Sequence, residues 1–268
     1  MRPTLLASTL RDRRRWLIGW SLGIISYVVL ILAFYPSLKD QGHSFDQALG
    51  KMPESMKALF GMGGGIDLFS PVGYLSSQLY SLMLPLLLLV AGISFGAGLA
   101  GDEEHGLLEM TLGAPVTRTR VVLERFAAVT AGLGVLAVVG WASVAVAARA
   151  VSLDISTGAL FWATLSVTLL TMAGASISLA VGAVTGRRSI AIATTSVFLV
   201  ASYLVTSLAT AGIAFFTHLT PYSVFTLTDV VPTLQRGTPA IGLVWLVALT
   251  TIGAGVAVWG FNRRDIRG

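Results

Sequence analysis

The chain alternates between long apolar runs and short polar breaks, and six of the runs are long enough to cross a bilayer. They cover residues 16–35, 71–100, 126–148, 160–184, 190–213 and 240–261; about 20 helical residues span the roughly 30 Å hydrocarbon core. The pattern therefore predicts an all-α integral membrane protein with six transmembrane helices in a single domain, 1–268. Residues 1–15 are basic, with Leu6 and Leu10 one helical turn apart. They read either as an amphipathic elbow helix in the headgroup region or as a tail that orients the first span. No small-residue cleavage site follows that span, so it is expected to be a retained helix.

The polar breaks carry their own signals. In the outer loop, 36–70, Phe45, Leu49, Met52, Met56 and Leu59 recur at helical spacing around Pro53, which suggests short amphipathic helices. Ser70 and Pro71 form a cap and first turn for the second span. Pro85 lies mid-span and should kink it, and Gly92, Gly96, Gly98 and Gly101 give it a small-residue face. Thr164, Thr168, Thr171, Ala175, Ser178 and Gly182 make a comparable stripe on the fourth span, expected to pack helices. Residues 214–239 are too polar, and too broken by Pro221 and Pro232, to cross alone. They are expected as an outer, partly re-entrant segment whose backbone the protein itself must satisfy.

Composition and charge fix the environment and orientation. Only 12% of residues are charged, against about 25% in soluble domains, and the mean hydropathy is +0.80. The net charge of +5 comes from fifteen Arg and three Lys, thirteen of which fall in 1–15, 118–125, 187–188 and 263–267. Clustering of this kind is positive-inside anchoring. It predicts both termini in the cytoplasm, a bilayer as the main partner, and no need of nucleic acid. The absence of Cys removes disulfides and thiolate metal sites.

Catalytic motifs are missing. The Gly63-Gly64-Gly65 run is not followed by Lys-Ser/Thr, so no phosphate-binding loop is present, and neither HExxH nor GxSxG occurs. Glu103-Glu104 resembles the paired glutamates of intramembrane CAAX-type proteases, but Leu108 stands where that motif needs Arg. His105 and Glu109 are one turn apart without a third metal ligand pinned beside them. No charged residue lies at mid-depth in any predicted span, where ion-coupled carriers usually keep one. A protein of this kind either borrows energy from a partner or forms a pore.

One segment is more specified than a connection needs. Gly101–Arg125, GDEEHGLLEMTLGAPVTRTRVVLER, holds an acidic cluster, a short apolar-faced helix, a Gly-Ala-Pro break and an Arg-rich entry to the third span. These features suit a surface that docks another protein. The segment is also similar to the pattern after the second helix of ABC-2 type transporter permeases. Asp102, Glu104, Gly106, Leu108, Glu109, Pro115, Val116, Thr117 and Arg118 fall at matching positions; Asp102 for Glu and Leu107 for Thr are mild departures. The six-span layout extends the resemblance along the whole chain.

The resemblance implies that 101–120 contains a cytoplasmic coupling helix seated on a separate ATP-binding subunit. There carboxylates such as Glu104 and Glu109 would pair with basic groups, Leu108 and Leu112 would supply apolar contact, and Asp102 and Gly106 would belong to the same coupling surface. Gly113 and Pro115 would end the helix so that Arg118 and Arg120 can anchor the third span. It further implies two ATP-binding subunits carrying ATP and Mg, and a second permease, identical or a related paralogue. The path would be lined by the second and fifth helices, making Pro85, Ser202, Thr206 and Thr210 its candidate wall, with helix packing as the competing role for the hydroxyl residues. The expected protein is the non-enzymatic membrane subunit of an exporter in a bacterial cytoplasmic membrane, moving a hydrophobic or amphipathic substrate such as a drug-like natural product or lipid. A metal-dependent membrane enzyme and a charge-free secondary carrier are the alternatives.

Overall fold

The computed structural model describes residues 11, 13–40, 53–59, 70–108 and 116–264. In chain order the helices are α1 (Arg14–Asp40), α2 (Glu54–Leu59), α3 (Pro71–Leu75), α4 (Met83–Gly96), α5 (Gly98–Glu104), α6 (Arg118–Ala150), α7 (Thr157–Thr185), α8 (Arg188–Thr210), α9 (Ala214–Thr217), α10 (Val230–Arg236) and α11 (Gly242–Arg263). A π turn (Ser76–Tyr80) joins α3 towards α4, and two 3₁₀ turns (Thr220–Tyr222, Val224–Thr228) precede α10. Six helical segments are long and apolar enough to span a membrane, and no strand occurs among the described residues. Most of the predicted elbow and of the 36–70 loop lies outside the described residues.

The fold surrounds α7. This helix packs against α4, α6, α8, α10 and α11 and buries its whole Thr/Ser/Ala stripe. Its hydroxyls are satisfied within the helix, Thr164 donating to Leu160 O (2.8 Å), Thr168 to Thr164 O (2.7 Å) and Thr171 to Val167 O (2.9 Å). The polarity is thereby spent locally, and the small side chains admit neighbouring backbones. A Cβ at Gly96 on α4 would collide with the carbonyl oxygen of Ala175, and one at Gly253 on α11 would sit 2.5 Å from Ser176 Oγ. Between these contacts Ser178 Oγ donates to Ile93 O across the α4–α7 interface at 3.0 Å.

Large apolar side chains cover the outside of the bundle, among them Ile18, Leu22, Leu30 and Phe34 on α1, Val197 and Val200 on α8, and Val244, Trp245 and Ile252 on α11. An apolar surface of that extent needs lipid as its solvent.

Two elements depart from the apolar pattern. Where the sequence reads one span over 71–100, the helix is built in pieces. Pro85 has no N–H for the carbonyl of Ser81, and just upstream Ser81 N bonds Ser76 O at 2.7 Å, one residue beyond α spacing. Leu82 leaves helical geometry (φ −132°, ψ −60°), and regular bonding resumes with Leu86 N on Leu82 O at 2.9 Å. The disturbance thus precedes the proline, in a π turn that turns Tyr80 inward to meet Thr164 Oγ1 of α7 at 2.9 Å. The second departure is α6, which starts at Arg118 and not at 126. Hydropathy marks lipid depth, whereas Thr117 sets the helix start by accepting from Arg120 N at 3.3 Å.

Candidate functional site

Three consecutive carboxylates end α5 at the arginine-rich face of the bundle, and each engages a different span. Asp102 pairs with Arg125 of α6. Glu103 pairs with Arg264 at the end of α11, its side chain only 6% exposed. Glu104 accepts a hydrogen bond from the backbone N–H of Arg188, the first residue of α8, at 2.9 Å. The cap residue of α8, Arg187, makes no side-chain bond of its own to the helix, so Glu104 supplies an N-terminal carboxylate from elsewhere in the chain, where the helix dipole favours it.

The cations are held in turn. Arg264 donates through Nε to Ala183 O of α7 (3.2 Å), and its own carbonyl accepts from Arg118 Nη1 at 2.7 Å. Asn262 donates to Thr119 Oγ1 (2.9 Å), and the Arg13 guanidinium lies 5.4 Å from the centre of the Phe95 ring. The end of α5 is therefore bound to α6, α7, α8 and α11.

Beyond it the chain turns outward. His105 Nδ1 meets Gly101 O at 2.6 Å, and Gly106 adopts φ +70°, a conformation that L side chains rarely take. Glu104, His105, Gly106 and Leu107 are exposed. Leu108 returns to the interior at 3% exposure, packed with Leu99, Val121, Val122, Leu179 and Phe261. Of the coupling residues, Asp102, Glu104, Gly106, Leu108 and Arg118 are thus gathered at this face. Glu109, Leu112, Gly113 and Pro115 lie outside the described residues. Among the described residues no group of three or more His, Asp or Glu side chains is placed to hold a metal ion.

At the opposite end a cavity of about 370 Å³ opens between α4, α8 and the segment before α11. Pro85, Thr206 and Thr210 line it, with Tyr80, Ser81, Tyr203, Phe225 and Asp229. A narrower apolar cavity of about 140 Å³ continues between α4 and α8, sharing Ser81, Pro85, Tyr203 and Phe225 with the first. Ser202 has a different place. It is buried, with its Oγ accepting from Val224 N at 2.9 Å and its carbonyl accepting from Ser223 Oγ at 2.7 Å. Ser223 Oγ also lies 2.6 Å from Thr206 Oγ1. This staple satisfies the backbone of the 214–239 segment where it meets α8.

Sequence reading missed several of these residues. Glu103 and Arg264 are 161 positions apart, and no spacing rule links them. Tyr80 and Ser223 look like ordinary span and loop residues until the fold brings them to Thr164 and Ser202. Asp229 carries a weak signal, as the lone acidic residue between Asp154 and Asp265.

A six-span bundle with a charge-tied polar face at one end and an aromatic cavity at the other defines a multi-pass membrane protein. The model of the family described as ABC-2 family transporter protein matches residues 4–266, and the chain belongs to that family. It is the membrane subunit of an ABC transporter, and membership implies association with an ATP-binding subunit. No curated protein matches the chain.

Proposed function

We propose that this chain is the permease of an ATP-driven exporter, which carries a hydrophobic or amphipathic molecule out of the cytoplasm or the inner leaflet. Two ATP-binding subunits would supply ATP and Mg, and a second permease, the same chain or a paralogue, would complete the assembly. The arginine-rich face would be cytoplasmic, with both termini on that side of a bacterial cytoplasmic membrane. The observation that carries the reading is the Asp102-Glu103-Glu104 junction. It ties α5 to α6, α11 and α8 while leaving the His105–Leu107 turn exposed. A push on the turn would reach three spans at once. The apolar cavity between α4 and α8, without a charged side chain in its wall, supports the substrate class.

The test is reconstitution with the ATP-binding subunit. Glu104→Ala/Glu109→Ala is expected to insert normally, to lose co-purification of that subunit, and to cut ATP-dependent transport at least tenfold, on the order of the 1.4 kcal/mol that a factor of ten represents. Transport at the wild-type rate in the double variant would remove these residues from coupling.

A further inference from the structure

The two cavities at the end opposite the Asp102–Glu104 junction share four lining residues and form one groove with a polarity. Its apolar part, between α4 and α8, is walled by Leu86, Leu89, Val90 and Val200 and opens on the lipid-facing outside, where Leu86, Val90 and Val200 are exposed. Its outer part adds Thr206, Thr210 and Asp229 around the Tyr203–Phe225 pair, whose ring centres are 5.3 Å apart. Asp229 is the one carboxylate among the described lining residues, and no described Lys, Arg or His lines either part. Arg236 lines an adjoining cavity that shares Thr226, Asp229 and Pro232 with the outer part, so it is a described cation beside the groove, without forming an ion pair with Asp229; Lys57 on α2 is not among the lining residues.

Asp229 has an unusual setting. It takes left-handed backbone geometry (φ 41°, ψ 47°) immediately before α10, yet its side chain makes no capping bond to that helix. It also makes no ion pair with any described residue. Asp enters this conformation more readily than most residues, and a carboxylate that neither caps nor pairs is available to a ligand. Tyr203 and Phe225 line the same cavity, and an aromatic face presented there would favour a cation further.

We infer that the groove takes an amphipathic monocation, with its apolar or aromatic body along α4 and α8 and its positive head at Asp229. This deepens the exporter reading by naming the charge of the substrate, and it rests on that reading only for the direction of movement.

The experiment uses full-length permease in nanodiscs of zwitterionic lipid, with empty discs as the partition blank. Tetraphenylphosphonium is the cationic probe and triphenylphosphine oxide the uncharged comparator, both measured by equilibrium dialysis. An exposed ion pair contributes up to about a factor of five in affinity. The wild type is expected to prefer the cation about fivefold. Asp229→Asn, which tolerates left-handed geometry as Asp does, is expected to erase the preference and leave the comparator unchanged. Asp154→Asn, an outer carboxylate away from the groove, should behave as wild type. Absence of cation preference in the wild type, or its persistence in Asp229→Asn, overturns the assignment. ATP-driven uptake into inverted vesicles containing the ATP-binding subunit separates the two ideas. Cation binding that depends on Asp229, without uptake, defeats the exporter reading and leaves the site standing. Uptake indifferent to Asp229 defeats the site alone.

Discussion

The Glu103–Arg264 pair offers the sharpest test of the junction at the end of α5. Its side chains are 6% and 20% exposed, so water screens the interaction far less than at the Arg120–Glu124 pair, where the arginine is 60% exposed. Removing one partner of a buried, hydrogen-bonded ion pair typically costs about 2–5 kcal/mol, largely because the other charge is stranded. Arg264 would retain the Ala183 carbonyl as an acceptor, which points to the lower part of that range, about 2–3 kcal/mol for Glu103→Ala. Glu103→Gln keeps the shape and exchanges a charge-assisted bond for a neutral one, so about half that loss is expected. The assay is reversible SDS unfolding of purified permease, followed by tryptophan fluorescence, on Glu103→Ala, Arg264→Ala and the double variant. The double variant should cost markedly less than the sum of the singles, with a coupling energy of at least about 1 kcal/mol, whereas independent sites add within about 0.3–0.5 kcal/mol. Additive losses would refute the pairing and, with it, the idea that α5 holds α11. The exposed Arg120→Ala, expected near 0.3–0.5 kcal/mol, calibrates the method.

Two further outcomes are expected. Gly96→Ala places a methyl against the Ala175 carbonyl, and should destabilise the α4–α7 interface by about 1–3 kcal/mol in the same unfolding assay; Gly19→Ala, whose Cβ meets nothing within 4 Å, should be close to neutral. Ser223→Ala removes the hydroxyl that bridges Ser202 and Thr206, at about 1–2 kcal/mol. The loss is local, so limited proteolysis should cut within 214–239 faster while the six spans stay protected.

These perturbations also show which parts of the molecule were legible in one dimension. The spans were, because lipid requires about 20 apolar residues in a row and nothing else in the chain imitates that. The Thr164–Gly182 stripe was legible as packing for the same reason: small residues at helical spacing on a span bring helices together, and α7 is buried along that face. Helix ends were less legible, since Thr117 and the Arg118–Arg125 turns extend α6 beyond the apolar run, and capping chemistry is invisible to hydropathy. The π turn was half visible. Pro85 announced a disturbance, but whether it became a kink or a register shift depended on Tyr80 finding Thr164, a partner 84 positions away.

The charged junction was hidden for a more general reason. Acidic residues after a span and arginines at the ends of others each look like solvated anchors when taken separately. Their pairing follows from α7 holding α4, α6, α8 and α11 around itself, which brings the ends of four spans to one place. Once assembled, the order of the carboxylates decides their partners. About 100° separates successive helical positions, so Asp102, Glu103 and Glu104 leave α5 in three directions and meet α6, α11 and α8. The segment expected from the sequence to dock another protein is, in the structure, a joint between spans. Asp102, Glu103 and Glu104 have partners within the chain, so under the proposed function a force applied to the exposed turn beyond them would have a defined route into the bundle. That route enters α8 at its first residue, and α8 is the helix that carries Thr206 and Thr210 into the wall of the cavity at the other end.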